Sequence, residues 1–271
     1  MAEDFATDAP LEIITAGAPS RRPSLVFVHG AFCGAWVWAE HFLPFFAELG
    51  WHGVAVSLSG HGESPGRKQL DRFGISDYVA DVAVAAAGLD RPPVVIGHSM
   101  GGVVAQHFAR KHQASGLALL APASLTSLAG SFAHMSLRRP DLLRALGRVQ
   151  SRGVTAEDYE AIRRGLFSAD FPVDLAMRYS RQFQRESVRA NLELMVPQWP
   201  LLMGRPRLSV LVMGGADDCF IPYVDLLTSS TFWNAELRVL EGVPHALMLD
   251  TSWRASAETV ADWLRRSFDQ A

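Results

Sequence analysis

The sequence predicts an α/β fold in which a mostly parallel, doubly wound sheet carries one inserted helical segment. The first observation is that short apolar runs rich in β-branched residues alternate with stretches of helical periodicity. The second is that glycine-rich turns follow several of these runs, as expected where parallel strands end. The chain has 271 residues, 49% of them hydrophobic and 20% charged, which is enough to bury one large core.

The apolar runs are predicted to be strands, and the segment before them, residues 1–10, is expected to be a loose tail. The runs lie at residues 11–15, 25–29, 54–58, 93–96, 117–120, 208–213 and 237–240. Residues 77–89 are predicted to be a helix with Ser76 as its N-cap, and residues 253–268 are the last amphipathic stretch. This alternation implies right-handed crossovers and helices on both faces of the sheet.

The alternation is interrupted between residues 124 and 204, where no strand-like run occurs. Helical patterns are present there instead, at residues 142–149, 156–167 and 187–196. We therefore expect an α/β core over residues 1–123 and 205–271 and a helical lid over residues 124–204. The lid is expected between the sixth and seventh strands of the sheet.

The composition argues against several classes of protein. The net charge of −3 gives no reason to expect binding to nucleic acid or to an anionic membrane surface. No apolar run reaches the roughly 20 residues of a membrane span, and the acidic N-terminus lacks the pattern of a secretory signal. Arginine greatly outnumbers lysine, which is typical of a GC-rich bacterial genome. We therefore expect a cytoplasmic, bacterial protein.

The two cysteines, Cys33 and Cys219, are too few for a disulfide framework and are expected to be free thiols. The sequence contains no spacing typical of metal ligands and no nucleotide-binding fingerprint. No metal and no cofactor are therefore expected.

Residues 97–101, Gly-His-Ser-Met-Gly, join the apolar run at 93–96 to a helical stretch. A strand, a Gly-x-Ser-x-Gly turn and a helix form the nucleophile elbow, a strained turn that presents a serine hydroxyl above the sheet. The glycines are required because a Cβ at Gly97 or Gly101 would collide with neighbouring backbone. The N-terminus of the helix stabilises negative charge at the reacting atoms. Ser99 is therefore the predicted nucleophile.

A serine hydroxyl needs a base within hydrogen-bond reach, and the base needs a third group that orients it. In this architecture both follow the serine in the chain, the acid first and the histidine second. His245 follows the run at 237–240 and is the predicted general base. Asp217 and Asp218 both follow the run at 208–213, and the order of residues alone leaves the choice between them open.

Attack on an ester carbonyl places negative charge on oxygen, and one fixed donor typically lowers the barrier by about 3 kcal/mol. The first predicted donor is the backbone N–H of Met100, just after the nucleophile. The second is the backbone N–H of Ala31, in the glycine-containing loop after the run at 25–29.

Motifs at five places resemble, in their order, those of the α/β-hydrolase family over nearly the whole chain. They are His29-Gly30, Gly60-His61-Gly62-Glu63-Ser64, Gly97-His98-Ser99-Met100-Gly101-Gly102, Gly215-x-x-Asp218-x-x-x-Pro222 and Gly242-x-x-His245. The resemblance implies a sheet of the eight-strand type, here without one N-terminal strand, and a lid in place of the helical insertion. It also selects Asp218 as the acid, because the family's Gly-x-x-Asp-x-x-x-Pro register falls on that residue.

The resemblance also bears on the reaction. A serine at position 99 argues against haloalkane dehalogenases and epoxide hydrolases, which use aspartate there. Ala246 is found where plant hydroxynitrile lyases typically carry lysine. His98 is found where carbon–carbon hydrolases usually have asparagine and perhydrolases usually have phenylalanine. The resemblance therefore implies an esterase, a lipase or a thioesterase.

The sequence as a whole predicts a serine hydrolase that cleaves a small-to-medium, largely apolar carboxylic ester or thioester through an acyl-enzyme. The alternatives are a lyase or a cofactor-free perhydrolase of the same fold, and a ligand-sensing receptor with slow turnover. The expected partner is a small-molecule ester substrate. The candidate pocket residues are Phe32, Trp36, His98, Phe132, Phe167 and Trp199.

Overall fold

The computed structural model describes residues 9–269, so the tail predicted over residues 1–10 lies mostly outside the described residues. A seven-stranded sheet forms the centre of the molecule. Its strands are β1 (Ile13–Ala16), β2 (Leu25–Val28), β3 (Gly53–Val56), β4 (Val94–His98), β5 (Gly116–Leu120), β6 (Ser209–Gly215) and β7 (Glu236–Leu240). Strand β1 pairs antiparallel with β3 and the other neighbouring strands pair in parallel, which confirms the predicted mostly parallel sheet.

Helices connect the strands and form the insertion. They are α1 (Trp36–Ala39), α2 (Phe42–Glu48), α3 (Ile75–Ala86), α4 (Met100–Lys111), α5 (Ala129–Arg138), α6 (Pro140–Arg152), α7 (Tyr159–Leu166), α8 (Val173–Ser180), α9 (Val188–Leu194), α10 (Trp199–Leu202), α11 (Tyr223–Trp233) and α12 (Trp253–Phe268). Among the described residues, none of these helices combines the length and the apolar character needed to cross a bilayer.

The four central strands, β2 to β5, are buried at every residue, so both faces of the sheet are covered. Aromatic side chains fill one part of this core: the ring of Phe27 lies 5.2 Å from that of Trp38 and 5.8 Å from that of Phe46. The hydrophobic effect of burying these side chains stabilises the sheet on which the site is built.

The order of the strands, β1-β3-β2-β4-β5-β6-β7, places β2 next to β4. Val28 at the end of β2 is paired with Gly97 near the end of β4, so the loops that follow these two strands start side by side. The chain changes direction across the sheet between these strands, and ligands of α/β proteins bind at such a point. The fold therefore brings Ala31 and Ser99 to the same edge of the sheet.

The helical insertion, which we call the cap, comprises α5 to α10 and follows β5. It therefore lies between the fifth and sixth strands of the described sheet, which corrects the expected position between the sixth and seventh. Five strands precede the cap in the described sheet, and five of the predicted runs already lie before residue 124, so the expected position was one strand too late.

Helix boundaries show where local sequence signals were sufficient. The backbone N–H of Gly74 donates to the Asp77 carboxylate at 2.7 Å, so α3 begins two residues earlier than expected and Gly74, not Ser76, is its N-cap. In the cap, the predicted start at Ser187 is observed: its hydroxyl accepts from the Ala190 N–H at 3.2 Å. The patterns at 142–149 and 156–167 correspond to α6 and α7, whereas α5, α8 and α10 were not predicted.

Candidate active site

Ser99 lies in a sharp turn between β4 and α4, with backbone angles of φ 53° and ψ −118°. A positive φ is costly for a residue with a Cβ, so neighbouring groups must hold it. The Ser99 N–H donates to the Leu120 carbonyl at 3.0 Å, and the Ser99 carbonyl accepts from the Ala123 N–H at 3.0 Å. A Cβ at Gly97 would collide with the carbonyl of Gly101. The turn has the strained geometry expected of a nucleophile elbow.

His245 is buried, and its Nδ1 lies 2.7 Å from Oδ2 of Asp218. The other oxygen of Asp218 accepts from the N–H groups of Phe220 at 2.7 Å and Ile221 at 3.0 Å. These hydrogen bonds fix the carboxylate so that Nδ1 of His245 is the donor. The Nε2 atom is then the ring nitrogen that can accept a proton.

The loops that carry Asp218 and His245 pack backbone against backbone. The Asp217 N–H donates to the Val243 carbonyl at 3.2 Å, and a Cβ at Gly215 would collide with that carbonyl group. The side chain of Asp217 is exposed. Of the two aspartates that residue order left open, Asp218 is the one that contacts His245.

The His245 ring lies between two other rings. Its centroid is 4.4 Å from that of Phe220 and 4.6 Å from that of His98. Burial, together with the proximity of His245, lowers the pKa of His98 well below its usual value, so this ring is neutral. Its Nε2 lies 3.0 Å from the His245 carbonyl and donates to it. His98 therefore holds the loop that carries His245. This role depends on a contact between residues far apart in the chain, so no local sequence pattern indicates it.

Ala31 and Met100 line the same cavity as Ser99 and His245. Over residues 9–269, neither of their backbone N–H groups donates to another protein group. Phe32, directly after Ala31, has a φ of 66°, so the loop after β2 turns sharply there. We call residues 29–32 the oxyanion loop, after the role predicted for Ala31.

The cavity has a volume of about 430 Å³. The loops at the strand ends form one side, and α5, α6, α7 and α9 form the other. Among the predicted pocket residues, Phe32, His98 and Phe132 line it. Most of the cap side was not among the predicted pocket residues; it includes Leu142, Leu146, Ile162, Leu166, Leu192 and Leu194.

The structure corrects the expectation for Trp36, Phe167 and Trp199, which do not line this cavity. The Trp36 ring packs against Phe183 at 5.6 Å, and Phe167 stacks on Phe171 at 4.1 Å. Trp199 is 65% exposed. Large aromatic residues of the cap thus pack one segment against another or face solvent, and residue type alone does not distinguish these cases.

Cys33 and Cys219 are both free thiols. Burial raises the pKa of each thiol, that of Cys219 to about 12, so both are protonated at neutral pH. Between Ala9 and Asp269, no cluster of three His, Cys, Asp or Glu side chains is arranged to hold a metal ion.

The cap also contributes a charged residue that the sequence analysis did not identify. Glu186, between α8 and α9, is fully buried, and its Oε2 accepts from the backbone N–H of Phe32 at 3.2 Å. Its position in an arginine-rich stretch between two helices is typical of a solvated surface residue. Only the three-dimensional contact shows that it adjoins the oxyanion loop.

The sheet order and the serine turn at its centre are those of the α/β-hydrolase fold. Residues 25–262 match the sequence model of the Alpha/beta hydrolase family. Because the match covers most of the chain, the protein belongs to that family.

Shorter segments are similar to two named esterases. A segment of 93 residues, 33% of this chain, is 36% identical to protein phosphatase methylesterase 1 of Bos taurus and covers 24% of it. A segment of 68 residues, 24% of this chain, is 43% identical to pimeloyl-[acyl-carrier protein] methyl ester esterase of Chromobacterium violaceum and covers 24% of it. The chain therefore spans only about a quarter of each relative's length.

The fold is similar to that of BpoC from Mycobacterium tuberculosis H37Rv, which carries the name of a non-heme bromoperoxidase. The likeness covers 96% of this chain and 97% of that chain, with 20% identity and a TM-score of 0.76. At this level of identity the similarity concerns the fold alone.

Proposed function

We propose that this protein is a serine hydrolase that cleaves a carboxylic ester or thioester with a small-to-medium, apolar acyl group. One observation carries the proposal: Ser99 in its strained turn and His245, paired with Asp218 at 2.7 Å, line one cavity. Nucleophile, base and orienting acid are the groups that acyl transfer through a serine requires.

In the proposed mechanism, Ser99 Oγ attacks the carbonyl carbon while its proton moves to Nε2 of His245. Asp218 accepts from Nδ1–H and stabilises the imidazolium. The N–H groups of Ala31 and Met100 donate to the oxyanion of the tetrahedral intermediate. Its collapse transfers the proton from His245 to the leaving alcohol or thiol, and the acyl group remains on Ser99. Water then attacks the acyl-enzyme by the same proton transfers and releases the acid.

The character of the cavity supports an apolar acyl group. Its volume of about 430 Å³ is within the range of small-molecule sites, and its cap side is mostly aliphatic. Gln150 is one of the few polar residues that line the cavity. Both ends of its side-chain amide are already bonded to the backbone of Glu186, at 3.2 and 2.7 Å. Transfer of an apolar chain into such a cavity is favoured by the hydrophobic effect.

The family and the names of the two similar esterases support ester hydrolysis as the reaction class. Both names describe methyl esterases. The acyl group proposed for this chain is inferred from its own cavity and not from these relatives.

The proposal is tested by hydrolysis of p-nitrophenyl esters and matched acyl thioesters of rising acyl length. We expect a chain-length optimum for the wild type and a loss of at least about a thousandfold in kcat for Ser99→Ala. Ser256→Ala is the matched control, because this buried serine on α12 has no hydrogen-bond partner in the described part of the chain. Equal activity in wild type and Ser99→Ala, or no hydrolysis by the wild type, would contradict the proposal and favour a lyase, perhydrolase or receptor role.

A further inference from the structure

Both backbone polar groups of Phe32 are bonded to one short segment of the cap. The Phe32 N–H donates to Oε2 of Glu186 at 3.2 Å, and the Phe32 carbonyl accepts from the Gln184 N–H at 3.0 Å. Phe32 has a positive φ, a conformation that persists only when its surroundings hold it. The residue before it, Ala31, carries the N–H group that would donate to the oxyanion.

The Glu186 carboxylate is a fully buried group with a complete set of partners. Its Oε2 also lies 3.0 Å from Nε2 of His61, and its Oε1 accepts from the Tyr78 hydroxyl at 2.9 Å and the Ser187 N–H at 2.7 Å. Burial alone would raise the pKa of Glu186, but His61 and these donors lower it. Glu186 is therefore ionised at neutral pH.

His61 connects this carboxylate to the core. Its two ring nitrogens face two acceptors, Glu186 at 3.0 Å and the Ser59 carbonyl at 3.2 Å. The amide of Gln184 adds two bonds to the same loop, accepting from the Gly62 N–H at 3.1 Å and donating to the Gly60 carbonyl at 2.8 Å. Residues 184–186 thus contact the loops after both β2 and β3.

We propose that residues 184–186 form a clamp by which the cap sets the geometry of the oxyanion loop, with Glu186 as its positioning residue. This inference rests on the proposed function, because it assigns the Ala31 N–H to the oxyanion. The Ala31 N–H lies in the plane of the Gly30–Ala31 peptide. The next peptide, Ala31–Phe32, is held through the Phe32 N–H by Glu186, which restrains the backbone of Ala31 and with it the direction of the Ala31 N–H. Glu186 touches the second backbone group of that turn and acts on the reaction through Ala31.

The variant Glu186→Gln keeps the shape of the side chain and removes its charge. Its NH₂ group cannot accept a hydrogen bond from Phe32, Tyr78 or Ser187, so at least one of these three donors loses its acceptor. Glu186→Asp keeps the charge opposite His61 but withdraws the carboxylate by one methylene. It serves as a second variant in case the glutamine variant does not fold. The matched control is Glu40→Gln, which removes a different contact between core and cap, the ion pair of Glu40 with Arg178.

The experiment measures kcat and KM for the best p-nitrophenyl ester, and the rate at which a fluorophosphonate labels Ser99. We expect both variants to lose about 10- to 100-fold in kcat and in labelling rate, with KM changed less than about threefold. We expect Glu40→Gln to retain wild-type values. Circular dichroism at the assay temperature establishes that each variant compared is folded.

Two outcomes distinguish the inference from the proposed function. If the wild type neither hydrolyses esters nor is labelled at Ser99, the proposed function fails and the clamp fails with it. If the wild type is active and labelled, but folded Glu186→Gln and Glu186→Asp match it or change only KM, the clamp is overturned and the proposed function stands.

Discussion

The two sides of the candidate active site are built in different ways. On the sheet side, Ser99, Asp218 and His245 lie on short loops at strand ends, which are held by backbone hydrogen bonds and close backbone contacts. On the cap side, the cavity is lined by the apolar faces of amphipathic helices. Under the proposed function, the sheet side holds the reacting groups and the cap side selects the acyl group.

This difference has an energetic counterpart. A displacement of about 1 Å at a reacting group costs roughly a hundredfold in rate, whereas one methylene in an apolar pocket is worth about 1–3 kcal/mol. Substitutions on the sheet side are therefore expected to change kcat sharply, and substitutions on the cap side to change chain-length preference. Glu186 is the exception, because it belongs to the cap in sequence but contacts the sheet side.

The strongest test of the comparison is at the acid. Asp218→Asn places an amide opposite Nδ1 of His245 and favours the wrong tautomer, so we expect a loss of about 10⁴-fold in kcat. Asp217→Asn alters an exposed neighbour on the same loop and is expected to keep kcat within about threefold. Steady-state ester hydrolysis compares the two variants. Equal losses of kcat would mean that the conformation of the whole loop, and not the contact of Asp218 with His245, determines the rate.

The second test concerns stability in acid. Burial, with a further contribution from His61, lowers the pKa of His29 on the sheet side to about 3. The unfolded chain takes up this proton below about pH 6.5 while the folded chain does not, so the free energy of unfolding falls as the pH decreases. We expect His29 to account for a loss of about 2 kcal/mol between pH 7 and pH 5.

Urea unfolding at several pH values measures this effect. The pH dependence should be reduced in His29→Gln and unchanged in His112→Gln, whose imidazole is exposed. Comparison with the wild type cancels other titrating groups, such as Asp225, whose pKa burial raises and whose contribution therefore has the opposite sign. A wild-type pH dependence in His29→Gln would show that folding does not lower the pKa of His29.

The smallest expected effect is on the cap side. Phe132→Ala enlarges the cavity, so we expect the preferred acyl chain to lengthen and kcat/KM for the original best ester to fall about tenfold or less. Leu137→Ala, on the same helix but 87% exposed and outside the cavity lining, is the control and should leave the profile unchanged. The p-nitrophenyl series reads out both, and a fall in kcat without a change in chain-length preference would contradict the division between the two sides.

More of the sheet side than of the cap side could be predicted from the sequence. The positions of Ser99 and His245 on loops at strand ends were predictable because these loops require glycines at fixed spacing, and that requirement is local. The start of α3 was misplaced because an acidic side chain, Asp77, reaches back to Gly74 and replaces the expected serine cap. Some of the candidate pocket residues line the cavity and others do not, because a helical pattern shows which residues are apolar but not which neighbour each one faces. Glu186 was missed because all that distinguishes it is a contact across 154 positions of the chain.

Gly215 couples the loop of Asp218 to the loop of His245. Because it has no side chain, the Asp218 loop lies directly on the Val243 carbonyl, and each loop is shaped to the backbone of the other. Transplanting the Asp218 loop from this protein into a related scaffold would therefore require the His245 loop to be transplanted with it, as a single cassette.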